Sequence, residues 1–453
     1  MVDVADITHL LRRTEFVARP DRVAALVSGT YDEAVDAVLG PSDEAPVPIP
    51  PEIDHHTGSG NYQQFRFATH WWLERMTRAA ATPLRERMAL FWHGHLCSDW
   101  GKVHHAGAMM GQNALFRELG LANVVDLVRA VSTQPAMLSY LDNVSNRKQS
   151  PNQNFSRELL ELFLLGIGNY TEADVEAATL AWTGYSADKT TGEFLFRENW
   201  HDTSVKTFLG RTGRWNGDDI IDIVFGPDAM VTVGPAAGTP TRVVAARFLT
   251  RKLWEELVYQ GPPPAAVHEL ADVLVGAGFE IRPWVRALLL HPEFRSDAAR
   301  RGLVRNPTEY IVALLYATGL SAAAVNPEWF AERMGQALYR PPNVSGWRPN
   351  GYWVNASALA ARAEFAQHVR WKVVAGDTLD LRAASYPWAE LDAMTPAQLV
   401  DTLAADIGVV LAAPTRSALV TWAEGEQRPW GPDWWRSRNA LLLTMITPEM
   451  NVA

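Results

Sequence analysis

The sequence has one cysteine, few lysines and no long apolar run. The lone Cys97 among 453 residues excludes an intramolecular disulfide and leaves the redox compartment undetermined. No 18-residue apolar stretch marks a membrane helix, and no basic region followed by an apolar run stands at the N-terminus. The sequence therefore predicts no membrane span and, by default, a cytoplasmic location, with export beside a partner as the alternative.

Positive charge and the common catalytic motifs are also scarce. The chain has 51 acidic and 41 basic residues, a net charge of −10, and no Lys/Arg-rich run. A nucleic-acid surface is therefore disfavoured. The sequence lacks GxxxxGK[ST], GxGxxG, GxSxG, HExxH and paired CxxC motifs. The common nucleotide-binding, serine-hydrolase and zinc-protease classes are therefore disfavoured too.

Helical periodicity dominates the rest of the chain. It predicts a mostly α, multi-helical fold with a small β-hairpin insertion around residues 190–240, where short alternating segments are separated by turn residues. The predicted segments are N-terminal helices (1–40), a Pro/Gly-rich linker (41–61), a helical core (62–185), the β insertion (186–240), a second helical half (241–375) and C-terminal helices (376–453).

Eighteen tryptophans are spread along the chain. Their bulk suits helix packing, and the same rings also suit a groove of aromatic platforms for a polysaccharide or peptide. No regular spacing places them on one face, so both interpretations stay open.

The segment from Pro151 to Tyr185 combines two predicted helices with a dense group of polar residues. Thr171 and Asp174 have capping-box spacing, and Gly166 and Gly168 suit the end of the preceding helix, where a positive φ is needed.

Two carboxylates of this segment lack so simple an explanation. Glu158 and Glu161, three residues apart on a helix, repel each other unless a cation or proton lies between them. Arg157 can reach Glu161 in a surface salt bridge. The alternative is a metal or acid–base site with Glu158 as its main residue.

Two histidine motifs are further candidates. In Trp92–His93–Gly94–His95, helical spacing places His95 inward as a core histidine or a metal ligand, and His93 outward. A break at Gly94 would instead let both rings chelate a metal. His201–Asp202 lies in the predicted insertion. It fits either a local hydrogen bond or a histidine oriented as a general base.

The order of several motifs resembles the bacterial family called domain of unknown function 1800. The resemblance implies a mostly helical protein, often encoded beside an exported companion similar to alkaline phosphatases, and it brings no established activity. Gln153 and Gly94 depart from the Glu and Asn that are usual in the family. The matching motifs are HLLRRTEF (9–16), RMALFWHGHL (87–96), QPAMLSYLDN (134–143), NQNFSRELLELFLLGIGNYTEADVEAA (152–178), HDTSVKTFLG (201–210) and RPPNVSGW (340–347).

These patterns support three hypotheses about function. The first is an enzyme with a buried His/Glu site that binds a divalent metal, and Zn, Mn or Fe suits such ligands. The second is a non-catalytic protein that binds a glycan or peptide. The third is an assembly protein that acts with the exported companion. The metal candidates are His93, His95, Glu158, Glu161 and His201, and the catalytic candidates are Arg157, Glu158, His201 and Asp202.

Overall fold

Helices make up most of the structure, which is a computed structural model describing residues 2–41, 43–54, 62–188, 190–375, 386–425 and 434–452. Parts of the predicted linker (42 and 55–61) and of the predicted C-terminal helices (376–385 and 426–433) therefore lie outside the described residues. Within the described ranges there are 24 α-helices and two small two-stranded sheets. The predicted fold class, mostly α with a small β-hairpin insertion, is confirmed.

The first eleven helices precede the strands. Pro20, Pro83 and Pro135 each stand at a helix start, where proline is tolerated because its missing N–H would have no intrahelical partner. The helices are α1 Val4–Thr14, α2 Pro20–Leu26, α3 Tyr31–Leu39, α4 Tyr62–Glu74, α5 Pro83–His95, α6 Trp100–Val103, α7 Ala106–Leu119, α8 Val124–Ser132, α9 Pro135–Tyr140, α10 Asn154–Glu158 and α11 Glu172–Ala181.

The strands form two separate antiparallel hairpins in and beside the predicted insertion. β1 (Tyr185–Ala187) pairs with β2 (Phe194–Phe196), and β3 (Lys206–Phe208) pairs with β4 (Arg211–Gly213). The second half of the insertion is helical: α12 spans Gly217–Phe225. Its start is fixed by a capping box, and its apolar side is buried, so this helix follows the usual sequence rules although the sequence analysis did not identify it.

Twelve helices complete the described chain. A single connected cluster of buried apolar side chains runs from Ile7 to Met450 through the described residues. The helices are α13 Thr241–Leu257, α14 Pro264–Gly276, α15 Ile281–Leu290, α16 Asp297–Arg301, α17 Pro307–Thr318, α18 Ala322–Val325, α19 Glu328–Met334, α20 Ala356–Ala375, α21 Trp388–Ala393, α22 Pro396–Ile407, α23 Ala413–Gly425 and α24 Trp434–Met445.

Several tryptophans are packing residues of this core. The rings of five are completely or almost completely buried, as expected from their bulk. They are Trp72, Trp92, Trp182, Trp254 and Trp284.

The helix predicted after Asn152 is not regular. Only α10 is α-helical, and residues Leu159–Leu164 form a π-helical turn in which the Leu165 N–H bonds to the Leu160 carbonyl at 2.9 Å. A π turn adds a residue to the helical circuit and changes which side chains share a face, and such turns are frequent at functional sites. Gly166 (φ +79°) and Gly168 (φ +85°) follow it, which confirms the need for glycine there.

Asp174 has the predicted capping role and a second one. Its Oδ2 accepts hydrogen bonds from the Thr171 N–H (2.8 Å) and hydroxyl (2.6 Å), and Thr171 in turn caps the Asp174 N–H. Its Oδ1 accepts from the buried Leu209 N–H at 2.7 Å, in the tight turn between β3 and β4. One carboxylate therefore joins the start of α11 to the second hairpin.

Replacement of Asp174 by Ala should reduce the free energy of unfolding by about 2–3 kcal/mol. The capping interaction that Asp174 makes with Thr171 contributes up to about 1 kcal/mol, and an unpaired buried N–H costs about 1–3 kcal/mol. Urea denaturation measures the change, and Glu176→Ala, on the exposed side of the same helix, is the control. A loss below about 0.5 kcal/mol for Asp174→Ala would mean that the second contact contributes nothing.

Candidate functional site

A cavity of about 130 Å³ lies where α5, the π turn, α13, the start of α17 and the loop 340–353 meet. Three of the motifs that carry the family resemblance, at 87–96, 152–178 and 340–347, supply lining residues. We call it the Glu256 cavity. Its polar lining includes His95, Lys252, Glu255, Glu256, Asn306 and Gln336, and its aromatic lining consists of Phe91, Trp347 and Trp353.

The loop that covers the cavity rests on His93. The Nε2 atom of His93 accepts a hydrogen bond from the Tyr339 N–H at 2.9 Å, and the Trp347 ring lies 5.3 Å from the His93 ring. Gly346 has φ +74°, and a Cβ there would stand 2.1 Å from the Gly94 carbonyl oxygen. Only glycine permits this close approach without strain.

His93 is therefore a buried structural residue, and its predicted outward orientation is wrong. The loop after Tyr339 covers the face of α5 that the helical spacing assigned to solvent, and 1% of His93 remains exposed. Burial lowers the pKa of His93 to about 3, so the ring is neutral at physiological pH and can accept the Tyr339 hydrogen bond.

His95 faces inward, as expected, and lines the cavity. Its Nε2 donates to the Phe163 carbonyl in the π turn at 2.9 Å, which leaves the lone pair of the neutral ring on Nδ1. Burial and the nearby Lys252 ammonium lower its pKa to about 3. His95 therefore acts in the cavity as a neutral hydrogen-bonding group. A pKa this low makes it a weak general base.

Glu256 is the group whose ionisation responds near neutral pH. Burial raises its pKa to about 7. The Arg87 guanidinium, whose Nη2 lies 3.4 Å from Oε1 of Glu256, opposes the rise, and the Glu309 carboxylate adds to it. The side chain is 23% exposed and lines the cavity. A carboxyl group poised near neutrality in a cavity is suited to proton transfer.

Glu309 lies beyond Arg87 and stays ionised. Burial opposes its charge, but a close ion pair with Nη1 of Arg87 and a hydrogen bond from the Asn306 N–H (2.7 Å) lower its pKa. The environment thus shifts the pKa values of two neighbouring carboxyl groups in opposite directions. Glu309 stays charged, and Glu256 titrates near neutral pH. This division of roles is the arrangement by which protein sites assign acid and base functions.

Two side-chain amides complete the polar wall. Asn306 uses Oδ1 to accept from the Glu309 N–H (2.8 Å), and Gln336 uses Oε1 to accept from the Thr308 N–H (3.1 Å). Neither amide NH₂ group has a hydrogen bond within the described part of the chain. Because both residues line the cavity, these groups are available to a ligand oxygen.

The Glu158–Glu161 pair lies apart from this arrangement. Glu158 is half-buried, and burial together with Glu161 raises its pKa against the effect of Arg157. Glu161 accepts from the Tyr170 hydroxyl at 2.6 Å. The predicted pairing of Arg157 with Glu161 is wrong: Arg157 pairs with Glu172 at 2.6 Å, because the chain turns back after the glycines and brings α11 alongside α10.

His201 and Asp202 make local contacts. Nδ1 of His201 donates to the Thr183 carbonyl at 2.8 Å, and Asp202 pairs with Lys206 at 3.0 Å. No hydrogen bond, ion pair or ring contact in the described ranges joins His201 to His95 or Glu158. Nor does the described part of the chain contain a group of three or more His, Cys, Asp or Glu side chains able to hold a metal ion. The predicted metal site thus has no geometric support.

Four residues of this arrangement were not predicted from the sequence: Glu256, Lys252, Arg87 and Glu309. One signal for Glu256 was present: it follows Leu249 by seven residues and Leu253 by three, so it borders the buried stripe of α13. A carboxylate at such a position needs a partner or a raised pKa. The partner, Arg87, is 169 residues away in sequence, and no local pattern reveals that contact.

Gly94→Ala should increase the free energy of unfolding by about 0.5–1 kcal/mol, because glycine is a poor helix former and Gly94 lies in the last turn of α5. A Cβ at this position meets no atom within 4 Å and points into open space beside the cavity. Thermal denaturation measures the effect. Gly346→Ala, which places a Cβ against the Gly94 carbonyl, should be destabilising, and the opposite signs of the two changes test this part of the geometry.

The comparisons with known proteins give a family. A family model described as "Protein of unknown function (DUF1800)" matches residues 9–452. The chain belongs to this family, and the match covers nearly all of it. Neither the curated proteins nor the solved structures yielded a match. None of the described helices has the length and apolar character needed to cross a membrane.

Proposed function

We propose that this protein is an acid–base enzyme that acts on a carbohydrate-like, polyhydroxylated substrate in the Glu256 cavity. Glu256 is the group that gives and takes the proton. The observation that carries the proposal is the Glu256 carboxyl, with a pKa of about 7, in a cavity that also contains aromatic rings and unused amide donors.

The aromatic lining supports a sugar-like ligand. Trp347 and Trp353 enter the cavity from the covering loop and Phe91 from α5, while other tryptophans of the chain are fully buried in the core. Flat aromatic faces bind the apolar C–H faces of sugar rings, and the amides of Asn306 and Gln336 suit their hydroxyl groups. The cavity volume suits a single ring or a comparably small group.

The electrostatics support proton transfer. At neutral pH Glu256 exists in both protonation states, so it can serve as general acid in one step and general base in another. The positive charge of Arg87 stabilises the ionised form of Glu256, and the Glu309 carboxylate balances the charge of Arg87. Glu255 lies in the same lining, and glycoside hydrolysis uses two carboxyl groups, so hydrolysis is the reaction class that we favour.

The binding step is tested with a panel of neutral monosaccharides and oligosaccharides, using saturation-transfer NMR followed by calorimetry. Gly94→Phe places a ring in the cavity and should abolish binding of any sugar that the wild-type protein binds. Gly276→Phe is the matched control, since Gly276 also lies in the last turn of a helix with open space around its Cβ. Equal binding by both variants would exclude the cavity as the sugar site.

Several sequence-based hypotheses remain proposals of lower rank. Catalytic roles for Arg157, Glu158, His201 and Asp202, and a Zn, Mn or Fe site with the histidines, are tested by metal analysis of the purified protein. If the purified protein contains no metal and a chelator leaves its stability unchanged, the metal-site hypothesis is wrong. The non-catalytic alternative, binding of a glycan or peptide beside an exported alkaline-phosphatase-like companion, predicts sugar binding by the wild-type protein without any turnover, and co-purification with that companion.

A further inference from the structure

A second concave surface adjoins the Glu256 cavity. It encloses about 580 Å³ and lies between the π turn, the glycine loop after it, residues 235–239, α13 and the start of α14. Leu162 and Lys252 line both this surface and the cavity, so the two are adjacent. We call it the cationic groove, after its basic residues Arg247, Arg251, Lys252 and His268.

The groove gathers positive charge that has no carboxylate partner. In the described ranges no Asp or Glu oxygen lies within 4 Å of the charged groups of Arg247, Arg251 or Lys252, although the chain as a whole carries a net charge of −10. The acidic lining residue is Glu161, which accepts from the Tyr170 hydroxyl. Lys252 lies over the Phe248 ring at 5.6 Å, and none of the three cations has a carboxylate partner among the described residues.

This arrangement is unfavourable for the protein alone. Arg247 and Arg251 are four residues apart on α13, where like charges destabilise a helix by a few tenths of a kcal/mol. Both residues line the groove, so an anion bound there would relieve this repulsion.

The neighbouring loop offers a backbone donor. Gly166, Ile167 and Asn169 line the groove, and Gly166 and Gly168 have positive φ. The backbone N–H of Ile167 has no hydrogen bond to any described residue. A loop with left-handed residues can turn such an N–H group towards an anion.

We propose that the cationic groove binds an oxyanion, a phosphate, sulfate or carboxylate group, carried by the ligand whose uncharged ring occupies the Glu256 cavity. The substrate class is thus an anionic sugar derivative. This step rests on the proposed function for its connection to the cavity. The groove itself binds the anion through Arg247, Arg251 and Lys252, and it is testable with a simple anion.

Inorganic phosphate, sulfate and acetate are titrated into the intact protein at low ionic strength and followed by calorimetry and by ¹⁵N-arginine side-chain NMR. The double variant Arg247→Gln/Arg251→Gln should weaken binding of the preferred anion at least 10-fold. Arg242→Gln, on the same helix but outside the groove, should leave it unchanged. Wild-type affinity should fall as sodium chloride is raised, because exposed charges are screened.

Equal anion affinity in the wild type and the double variant, or no binding of any of the three anions at 10 mM, would overturn the groove as an anion site. Circular dichroism confirms that both arginine variants remain folded. Glu256→Gln should bind the anion normally, which separates the two proposals. Arginine-dependent anion binding without any sugar binding in the cavity would contradict the function proposed for the cavity. It would still support the groove as an anion site.

Discussion

Glu256→Gln is expected to lower the turnover of the cavity's substrate by about 10²–10⁴-fold, the usual contribution of a positioned general acid or base. The amide keeps the size and most of the polar contacts of the carboxyl group but cannot exchange a proton. Substrate binding should therefore persist while turnover is lost. Glu176→Gln, on the exposed side of α11, is the matched control and should retain full activity.

The same substitution should stabilise the protein, and only at higher pH. The unfolded chain releases the Glu256 proton near pH 4.5 and the folded protein near pH 7. Between these values the folded state holds the extra proton, so its stability falls as the pH rises. The full loss, about 3 kcal/mol, is present above pH 7. Glu256→Gln removes it, and the variant should equal the wild type near pH 4 and exceed it near pH 8.

Urea denaturation of both proteins from pH 4 to pH 8 measures this difference. A stabilising change that abolishes activity is the signature of a group retained for function at the expense of stability. If Glu256→Gln is less stable than the wild type at every pH, the carboxyl group is a structural partner of Arg87. The proposal that it transfers protons is then wrong.

Arg87→Met is expected to lower the free energy of unfolding by about 3–5 kcal/mol, the usual effect of removing one partner of a buried ion pair. Arg87 is fully buried and joins α5 to α13 through Glu256 and to α17 through Glu309. Methionine fills much of the volume but leaves the Glu309 carboxylate without its counter-charge. The Glu256 pKa should rise further, because the Arg87 charge opposes its present shift.

Arg333→Met is the control for this prediction. Arg333 also pairs with a glutamate, Glu364, through two nitrogens, but that pair is on the surface, where such contacts contribute less than about 1 kcal/mol. Equilibrium urea denaturation compares both variants with the wild type. Equal losses for Arg87→Met and Arg333→Met would show that burial adds nothing to the Arg87 network.

Local features of the fold could be predicted because local chemistry determines them. The capping box at Thr171 and Asp174, the glycines after the π turn and the short strands near Phe194 and Lys206 all follow from neighbouring residues. The inward orientation of His95 followed from helical spacing. The π turn itself was not predicted, since its sequence, LLELFL, also suits a regular helix.

The candidate site was predicted less well because distant segments build it. The cavity depends on Arg87, Glu256 and Glu309 meeting across 222 residues of sequence. His93 was assigned to solvent because nothing near it reveals that Tyr339 covers that side of α5. The sequence pointed to the motif in α5 and to Glu158 in α10 as the carboxyl candidate, whereas Glu256, the carboxyl group of the proposed site, lies in α13.

The pKa of the Glu256 carboxyl group tests the central claim most directly. It can be measured by ¹³C NMR of protein labelled at the glutamate side-chain carboxyl carbon, with the resonance assigned by its absence in Glu256→Gln. The expected value is about 7, with a further rise in Arg87→Met. A value near 4.5, the ordinary value for glutamate, would mean that Glu256 is permanently ionised at neutral pH, and the acid–base function proposed for the cavity would be wrong.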